Sequence, residues 1–291
     1  MKIKILGTAA AEGWPGIFCE CPSCQRAKSL GGKNIRSRSS ILIDEEYKID
    51  FPPDTYYHLT KFDISFSKIK HLFITHTHYD HFNFIDFLMR RHPPFSLTPL
   101  PLLNIYGNER GRELLFDVME KIDEDFIENF DKYSIKYHVI KPFQEFTAGK
   151  LKVIPLLANH DPKQTCYNYV FSNSSVSFLQ AFDTGWYPDE TWKELKKISS
   201  EKRFDLVIMD CTGGSKRLGK SAGHLGIEDL IEMKEKLSGQ GNLTENCRFI
   251  ATHFSHGGSL SHQELEKILL PKGIEVAFDG MEIFLYSSLT P

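Results

Sequence analysis

The sequence lacks several features that would indicate a secreted, membrane-bound or nucleic-acid-binding protein. It has six cysteines in 291 residues, a net charge of −3, and no apolar stretch long enough to cross a membrane. Because the charge is small and negative, no general basic field attracts nucleic acid, and we do not expect nucleic acid as a partner. The few cysteines, and an amino terminus that starts as a predicted strand with no targeting segment, predict a cytoplasmic protein without disulfides.

Strand-like and helical patterns alternate along the chain without repeats, linkers or low-complexity tracts, so we expect one α/β domain over residues 1–291. Runs of strands with helices between them are typical of two packed sheets with helices outside. The predicted strands lie at 1–6, 40–44, 47–51, 70–75, 102–106, 134–140, 151–157, 167–172, 176–182, 205–210, 248–253 and 274–286, the last as a hairpin. The predicted helices lie at 82–91, 108–122, 189–201, 227–238 and 261–270.

The densest group of metal-binding side chains lies in residues 75–81. An apolar, strand-like run at 71–74 leads into four of them, which are His76, His78, Asp80 and His81. Imidazole is the commonest metal ligand among side chains, and imidazole with carboxylate suits zinc, manganese or iron. A strand that ends in a tight loop lets all four converge, whereas a polar loop with chance histidines explains neither the spacing nor the strand before it.

The spacing of this run resembles the H-x-H-x-D-H signature of the metallo-β-lactamase superfamily. The resemblance implies a four-layered αββα sandwich with a two-metal hydrolytic site. It also implies a further histidine, an aspartate and a last histidine, in that order, at strand ends. His160, Asp183 and His253 each follow an apolar run and occupy these places. Each alone is as easily a turn residue, but the order favours three ligands.

A second cluster of ligands lies near the amino terminus. Cys19, Cys21 and Cys24 form a C-x-C-x-x-C pattern within residues 19–24, and structural zinc takes four ligands. In this superfamily such a loop can lie beside the last histidine strand, where His256 is available as the fourth ligand. We therefore predict a structural zinc site of three cysteines and one histidine, with a disulfide or free thiols as the alternatives.

The segment 5–15, the cysteine loop, and the segments 207–211 and 277–283 resemble the phosphoribosyl cyclic phosphate phosphodiesterase family of phosphonate degradation. This resemblance covers nearly the whole chain. A related branch, the B proteins of PQQ biosynthesis, shares the cysteine loop but usually has a degraded central metal motif, which is intact in this chain.

The resemblance divides seven ligands between two divalent metals, zinc or manganese with iron as a further option. It assigns His76, His78 and His160 to one metal, Asp80, His81 and His253 to the second, and Asp183 to the bridge. The two metals would share a hydroxide that attacks phosphorus in line.

Two residues are expected to be catalytic, namely Asp80 as a ligand and His224 as general acid or oxyanion stabiliser. Asp50 matches the buried aspartate that orients metal-binding histidines. The chain departs from the family after Asp50, because Phe51 and two prolines replace a small residue and glycine and so stiffen the loop.

These features predict a di-metal phosphodiesterase that acts on a small cyclic phosphate or nucleotide-like diester. The same fold could instead hydrolyse a tRNA 3′ end, a lactam, a lactone or a thioester. No long basic arm for tRNA is apparent, and β-lactamases bind the second metal through cysteine, whereas this chain offers Asp183. A non-catalytic binding protein of the PQQ-biosynthesis type is the third interpretation, and loss of site ligands would be its mark.

Residues 83–150 are longer than the compact phosphodiesterase pattern requires. They include charged and proline-rich stretches, which are typical of surface connections. The segment is therefore either a surface embellishment or a lid that changes substrate choice. The sequence leaves a homodimer open.

Overall fold

The computed structural model describes residues 1–286, and its strands form two seven-stranded mixed sheets. The first sheet has the order β14-β1-β2-β3-β4-β5-β6 and the second has the order β13-β12-β11-β10-β9-β8-β7. The strands of the first sheet are β1 (Lys2–Gly7), β2 (Ser40–Ile43), β3 (Tyr47–Ile49), β4 (His71–Phe73), β5 (Leu103–Gly107), β6 (Ile135–Val139) and β14 (Glu282–Phe284). Those of the second are β7 (Phe146–Ala148), β8 (Leu151–Leu157), β9 (Tyr167–Ser172), β10 (Ser177–Ala181), β11 (Phe204–Asp210), β12 (Leu243–Thr252) and β13 (Glu275–Val276).

Helices cover the outer face of each sheet. They are α1 (Pro22–Leu30), α2 (Thr55–Phe62), α3 (Glu109–Ile122), α4 (Asp189–Glu201), α5 (Ile227–Gly239) and α6 (His262–Leu269). Short 3₁₀ turns lie at Gly32–Asn34, Phe84–Arg90, Phe130–Tyr133, His256–Gly258 and Leu270–Lys272. No helix among residues 1–286 combines the length and the hydropathy of a membrane span.

The alternation of side chains along the strands builds the layers. Ile3 and Ile5 of β1 and Leu206 and Ile208 of β11 point into one buried cluster between the sheets. Residues at the intervening positions, such as Val207, face the helices instead. Because a strand has a side-chain period of two, each central strand contributes to two apolar layers. The predicted αββα sandwich is confirmed.

The structure differs from the predicted elements at several places. The predicted hairpin at 274–286 is wrong, because β13 pairs with β12 while β14 pairs with β1 in the other sheet. A turn at Gly280, with φ of 95°, lies on the path of the chain from β13 in the second sheet to β14 in the first. The helix predicted at 82–91 is the 3₁₀ turn Phe84–Arg90. The analysis also missed α1, α2 and β7, whose apolar periodicity is weak.

Most of the long segment 83–150 belongs to the framework of the sandwich. It supplies β5 and β6 at the edge of the first sheet, α3 on the outer face, and β7 at the edge of the second sheet. The irregular part is confined to the connections, chiefly residues 91–102 and 123–134. A lid function for these connections remains a prediction.

The core between the sheets should be sensitive to cavities. Leu206 is fully buried, so Leu206→Ala should lower the free energy of unfolding by about 2–5 kcal/mol. Denaturant titration would measure this loss. The exposed Glu201→Ala, at the end of α4, should change stability by less than about 0.5 kcal/mol. Equal stability of the Leu206 and Glu201 variants would contradict the assignment of the core.

Candidate metal centre

Strand ends from both sheets meet at one edge of the sandwich and carry the predicted ligands. Residues 76–81 follow β4 of the first sheet. His160, Asp183 and His253 follow β8, β10 and β12 of the second sheet. Because β10 and β12 both run parallel to β11, their carboxyl ends lie at the same edge. The topology therefore brings together residues that are up to 177 positions apart in the sequence, from His76 to His253.

One group of ring nitrogens comes from three histidines. His76 Nε2 lies 2.9 Å from His78 Nδ1, and His160 Nε2 lies 3.2 Å from the same atom. The Oδ1 atom of Asp183 lies 3.9 Å from His160 Nε2. These atoms can surround a single cation.

A second group lies on the other side of Asp183. His81 Nε2 is 3.0 Å from Asp80 Oδ2 and 2.6 Å from Asp183 Oδ2, and His253 Nε2 is 3.1 Å from Asp183 Oδ2. Asp183 therefore presents one oxygen to each group. The two groups are those that the resemblance assigned to two metals.

The donor atoms of the second group fit a metal ion because they are buried without hydrogen-bond partners. Within the described part of the chain, His81 Nε2, Asp183 Oδ2 and His253 Nε2 have no access to solvent and no partner of hydrogen-bond geometry. Buried polar atoms without partners are costly, and a shared cation would satisfy all three. Histidine and carboxylate together suit a divalent cation such as zinc, manganese or iron.

The buried charges of this group also favour ionised carboxylates. Burial alone would raise the pKa of Asp183, but His253 and His81 outweigh it and hold that pKa well below its usual range. Burial likewise would lower the pKa of His81, and the carboxylates of Asp80, Asp183 and Asp50 outweigh it and raise that pKa. An ionised Asp183 is the form that a metal requires.

Asp50 is linked to two of the candidate ligand histidines through their Nδ1 atoms, which point away from the cluster. Its Oδ2 accepts a hydrogen bond of 2.7 Å from His81 Nδ1, and its carboxylate accepts one from the Thr75 hydroxyl, whose oxygen lies 3.0 Å from Oδ1 and 2.9 Å from Oδ2. Since the Thr75 hydroxyl donates to Asp50, it accepts from His76 Nδ1 at 3.0 Å. In both rings Nδ1 is thereby occupied and Nε2 is directed at the cluster, so the neutral form of each ring can offer Nε2 to a metal. The orienting role predicted for Asp50 stays a prediction.

Asp210, to which the sequence analysis gave no role, repeats this arrangement in the second sheet. Its Oδ2 accepts from Thr212 Oγ1 at 2.9 Å, and that hydroxyl lies 2.8 Å from His253 Nδ1. The same Oδ2 lies 3.0 Å from His224 Nδ1. Each buried aspartate therefore orients one histidine directly and a second through a threonine.

The remaining two histidines also have outer partners. His160 Nδ1 lies 3.2 Å from the carbonyl oxygen of Gly223, and His78 Nε2 lies 3.3 Å from Asp161 Oδ2. Gln164 donates to Asp161 and accepts from the backbone N–H of Thr77, which ties this carboxylate to the loop of the motif. In all five candidate ligand histidines, one ring nitrogen faces the cluster and the other has a partner.

His224 lies beside the cluster and is the most accessible histidine paired with Asp210. Its Nδ1 is 3.6 Å from Asp183 Oδ1, and its side chain is 29% exposed against 2% for His253. Burial lowers the pKa of His224, but Asp210 and Asp183 outweigh it and raise that pKa to about 9. The structure thus places His224 beside the candidate ligands with its ring partly open to solvent. Its role as general acid or oxyanion stabiliser stays a prediction.

Three candidate residues have left-handed backbone conformations within two residues of the end of a strand. The φ angles are 55° at Asp50, 44° at Asp183 and 60° at His253. Non-glycine residues adopt this region rarely, and such conformations are concentrated at functional sites. Each turn ends its strand and directs the side chain toward the cluster.

The cysteine loop forms a separate cluster with His256. Nδ1 of His256 lies 3.4 Å from Cys21 Sγ and 3.7 Å from Cys19 Sγ, and all four donor atoms, with Cys24 Sγ, lie within 4.8 Å of one another. Hydrogen bonds from the backbone N–H of Cys24 and from His256 lower the pKa of Cys21 to about 6. This set suits tetrahedral zinc and joins the start of α1 to the turn that follows His253.

The sequence analysis missed Thr75, Asp161, Asp210 and Thr212 as functional residues. Asp210 carries the same signal as Asp183, since it ends an apolar strand run, and that signal could have identified it. Asp161 directly follows a predicted ligand. Nothing in the local sequence distinguishes the two threonines, because their role depends on which aspartate and histidine the fold places beside them.

Comparisons with known proteins identify the family and the fold. Residues 55–254 match the model of the β-lactamase superfamily domain. The chain is 24% identical to the coenzyme PQQ synthesis protein B of Acinetobacter baumannii (strain ACICU), over 98% of this chain and 100% of the relative.

Two solved structures are similar in fold. A diphosphatase of the PhnP family has a TM-score of 0.71 at 23% identity, over 98% of each chain. Zn²⁺-bound PqqB from Methylobacterium extorquens has a TM-score of 0.72 at 16% identity, over 98% of this chain and 100% of that chain.

The cysteine cluster gives a prediction about stability. We expect Cys21→Ser to lose about one zinc per chain and to melt at a lower temperature, because structural zinc contributes folding free energy. Elemental analysis and thermal unfolding would measure both quantities. Cys247→Ser, outside both clusters, is the matched control and should retain its zinc. Unchanged zinc content and melting in Cys21→Ser would contradict the zinc assignment.

Proposed function

The chain belongs to the metallo-β-lactamase superfamily, a fold of metal-dependent hydrolases, and we propose that it cleaves a small phosphodiester, either cyclic or nucleotide-like. The proposed site holds two divalent metals, zinc or manganese with iron as a further option, in the two groups that share Asp183. The proposed structural zinc lies in the cysteine cluster.

The position of Asp183 is the observation that supports this proposal most directly. Its two oxygens face two separate sets of imidazoles, at 3.9 Å from His160 Nε2 and 3.1 Å from His253 Nε2. A carboxylate at this position suits a two-metal centre for phosphodiesters, lactones or thioesters, whereas β-lactamases use cysteine for the second metal. Two bound divalent cations would supply a water of lowered pKa and offset charge on the phosphoryl oxygens.

His224 and Asp210, which lie beside Asp183, can supply the proton that the leaving group needs. Hydrolysis forms a bond from the water oxygen to phosphorus and breaks the bond from phosphorus to the leaving alkoxide, which needs a proton. His224 donates from Nδ1 to Asp210 at 3.0 Å, so that Nε2 is the ring atom that can give a proton to the alkoxide. Asp210 holds the ring orientation and stabilises the protonated imidazole.

The diphosphatase of the PhnP family supports phosphoryl chemistry on this fold, although at 23% identity the likeness shows only the fold. Lactone and thioester hydrolysis remain the alternatives within the same site. Processing of a tRNA 3′ end is less well supported, since the sequence lacks a long basic arm.

The second candidate is the binding protein without catalytic activity that the sequence analysis considered for the PQQ-biosynthesis branch, and the chain is similar over its full length to a coenzyme PQQ synthesis protein B. A protein of this kind could dispense with part of the ligand set. This chain has all seven predicted ligands, and every ligand histidine has an outer partner. Such outer partners are typical of a working metal site, and they favour the hydrolase.

The first test is hydrolysis of bis(p-nitrophenyl) phosphate and of a ribose cyclic phosphate, with added manganese or zinc. Asp80→Ala should lose at least about 100-fold in kcat/KM, because changes in outer partners alone cost roughly 10–100-fold. Asp117→Ala, an exposed aspartate of α3, is the matched control and should retain activity.

Normal activity of Asp80→Ala would contradict the two-metal site. If the metal-loaded protein cleaves a lactone or a thioester but neither phosphodiester, the proposed phosphodiester substrate is wrong and that ester is the substrate class. Failure of all these substrates with both sites loaded would support the binding protein.

The role of His224 can be separated from metal binding by the choice of leaving group. His224→Gln should lower kcat by about 10²–10⁴-fold for a cyclic phosphate, whose alkoxide needs a proton. The same variant should affect bis(p-nitrophenyl) phosphate much less, since nitrophenolate leaves without protonation. Equal losses for both substrates, at unchanged metal content, would show that His224 is not the proton donor.

A further inference from the structure

His224 lies in the irregular connection between β11 and α5, residues 211–226. Asp210 holds it from one side, because its two carboxylate oxygens lie 3.0 Å from His224 Nδ1 and 2.9 Å from the backbone nitrogen of Leu225. On the other side the chain arrives through residues 220–223, which belong to no helix or strand. Since a side chain starts from its backbone, the place of the His224 ring also depends on what holds residues 220–223.

Two residues outside the connection hold this segment by hydrogen bonds. Within residues 1–286, the bonds that join 220–223 to residues beyond 211–226 go to the Asn159 side chain and to His160 Nδ1, which lies 3.2 Å from the carbonyl oxygen of Gly223. His160 is a candidate metal ligand, so a change of this residue would also alter the metal centre. Asn159 is therefore the residue whose effect on the segment can be measured apart from the ligands.

The side-chain amide of Asn159 faces three backbone carbonyl groups. Its Nδ2 atom lies 3.1 Å from the carbonyl oxygen of Trp186, 3.3 Å from that of Ala222 and 3.5 Å from that of Lys220. Carbonyl oxygens only accept hydrogen bonds, so the amide nitrogen, which carries two donors, has to be the atom that faces them. One side chain thus joins the connection after β10 to the connection after β11.

The backbone of Asn159 is fixed by the connection after β10 as well. Its N–H donates to Thr184 Oγ1 at 3.1 Å, and its carbonyl oxygen accepts from the N–H of Gly185 at 2.8 Å. The two connections are in close backbone contact at Gly185, since a Cβ atom there would lie 1.7 Å from the carbonyl oxygen of Ala222. Asn159 is therefore anchored, and residues 220–223 pack against the connection after β10.

We propose that Asn159 is a positioning residue for His224, an inference that rests on the proposed function. The two donors of its amide hold residues 220–223 in place, so that the His224 ring lies at the metal centre with Nε2 available to the leaving alkoxide. Without these donors three carbonyl groups lose a partner and the segment shifts, although Asp210 still binds Nδ1. Misplacement of a reacting group by about 1 Å can cost roughly 100-fold in rate.

The test compares the natural protein with Asn159→Leu, whose side chain has a similar size and no donors. For a ribose cyclic phosphate, whose alkoxide needs a proton, kcat should fall by about 10–100-fold, while bis(p-nitrophenyl) phosphate should be affected by less than about threefold. Metal content by elemental analysis should stay the same. Asn173→Leu, in the connection between β9 and β10, is the matched control and should leave the ratio of the two rates unaltered.

The variant His224→Gln separates this inference from the proposed function. If His224→Gln changes the ratio of the two rates and Asn159→Leu does not, the proton donor stands and Asn159 has no positioning role. If neither changes the ratio, the proton donor and the inference are both wrong. Loss of metal, or equal losses for both substrates, in Asn159→Leu would also overturn the inference. The double variant should lose no more discrimination than His224→Gln alone, because both changes act through one ring.

Backbone motion provides a measurement that needs no substrate. NMR order parameters of residues 220–223 should fall from about 0.85 to below about 0.6 in Asn159→Leu and stay unchanged in Asn173→Leu. Unchanged order parameters and chemical shifts of this segment in Asn159→Leu would overturn the inference, whichever ester the protein hydrolyses.

Discussion

The shared carboxylate of Asp183 is the contact around which the functional edge of the protein is arranged. It has to be buried, ionised and within reach of imidazoles from both sheets. A buried charge of this kind is tolerated only with opposite charge or a metal beside it. The strand ends, the left-handed turns after them and the orientation of five histidine rings all serve this requirement.

The two sheets meet the requirement by the same device. Asp50 in the first sheet and Asp210 in the second are both fully buried, and each holds one histidine directly and another through a threonine hydroxyl. The direct partner is His81 in one sheet and His224 in the other. Of these two histidines, His81 is buried and His224 is partly exposed. The same arrangement therefore orients a candidate ligand in one sheet and the proposed proton donor in the other.

Two further features lie outside the metal centre, namely the cysteine cluster with His256 and the buried side chain of Lys48. The loop that carries Cys19–Cys24 lies against the turn at His256, three residues after His253, the last candidate ligand. Glu12 strengthens this contact, accepting a hydrogen bond of 2.5 Å from Ser255 Oγ. Lys48 lies on the outer face of the first sheet, buried between Leu42 and Leu72 in the strand register.

Much of the site could be predicted from the sequence because its signal is local. The run His76–His81 contains four of the seven candidate ligands, and His160, Asp183 and His253 each mark the end of an apolar strand. The strands with clear alternation, such as 151–157 and 167–172, have these bounds in the structure. The fold was indicated by the resemblance of this run, and of the order of the later ligands, to the metallo-β-lactamase signature.

The tertiary structure decided what depends on neighbours that are distant in sequence. Thr75 and Thr212 orient histidines only because a buried aspartate lies behind each hydroxyl, and no periodicity records that contact. The segment 274–286 has the pattern of two strands, yet only the packing places β13 and β14 in different sheets. In the sequence Lys48 looks like an ordinary strand residue, and only the strand register places it between two leucines. The cost of burying a charge depends on all of its surroundings, which no single stretch of sequence specifies.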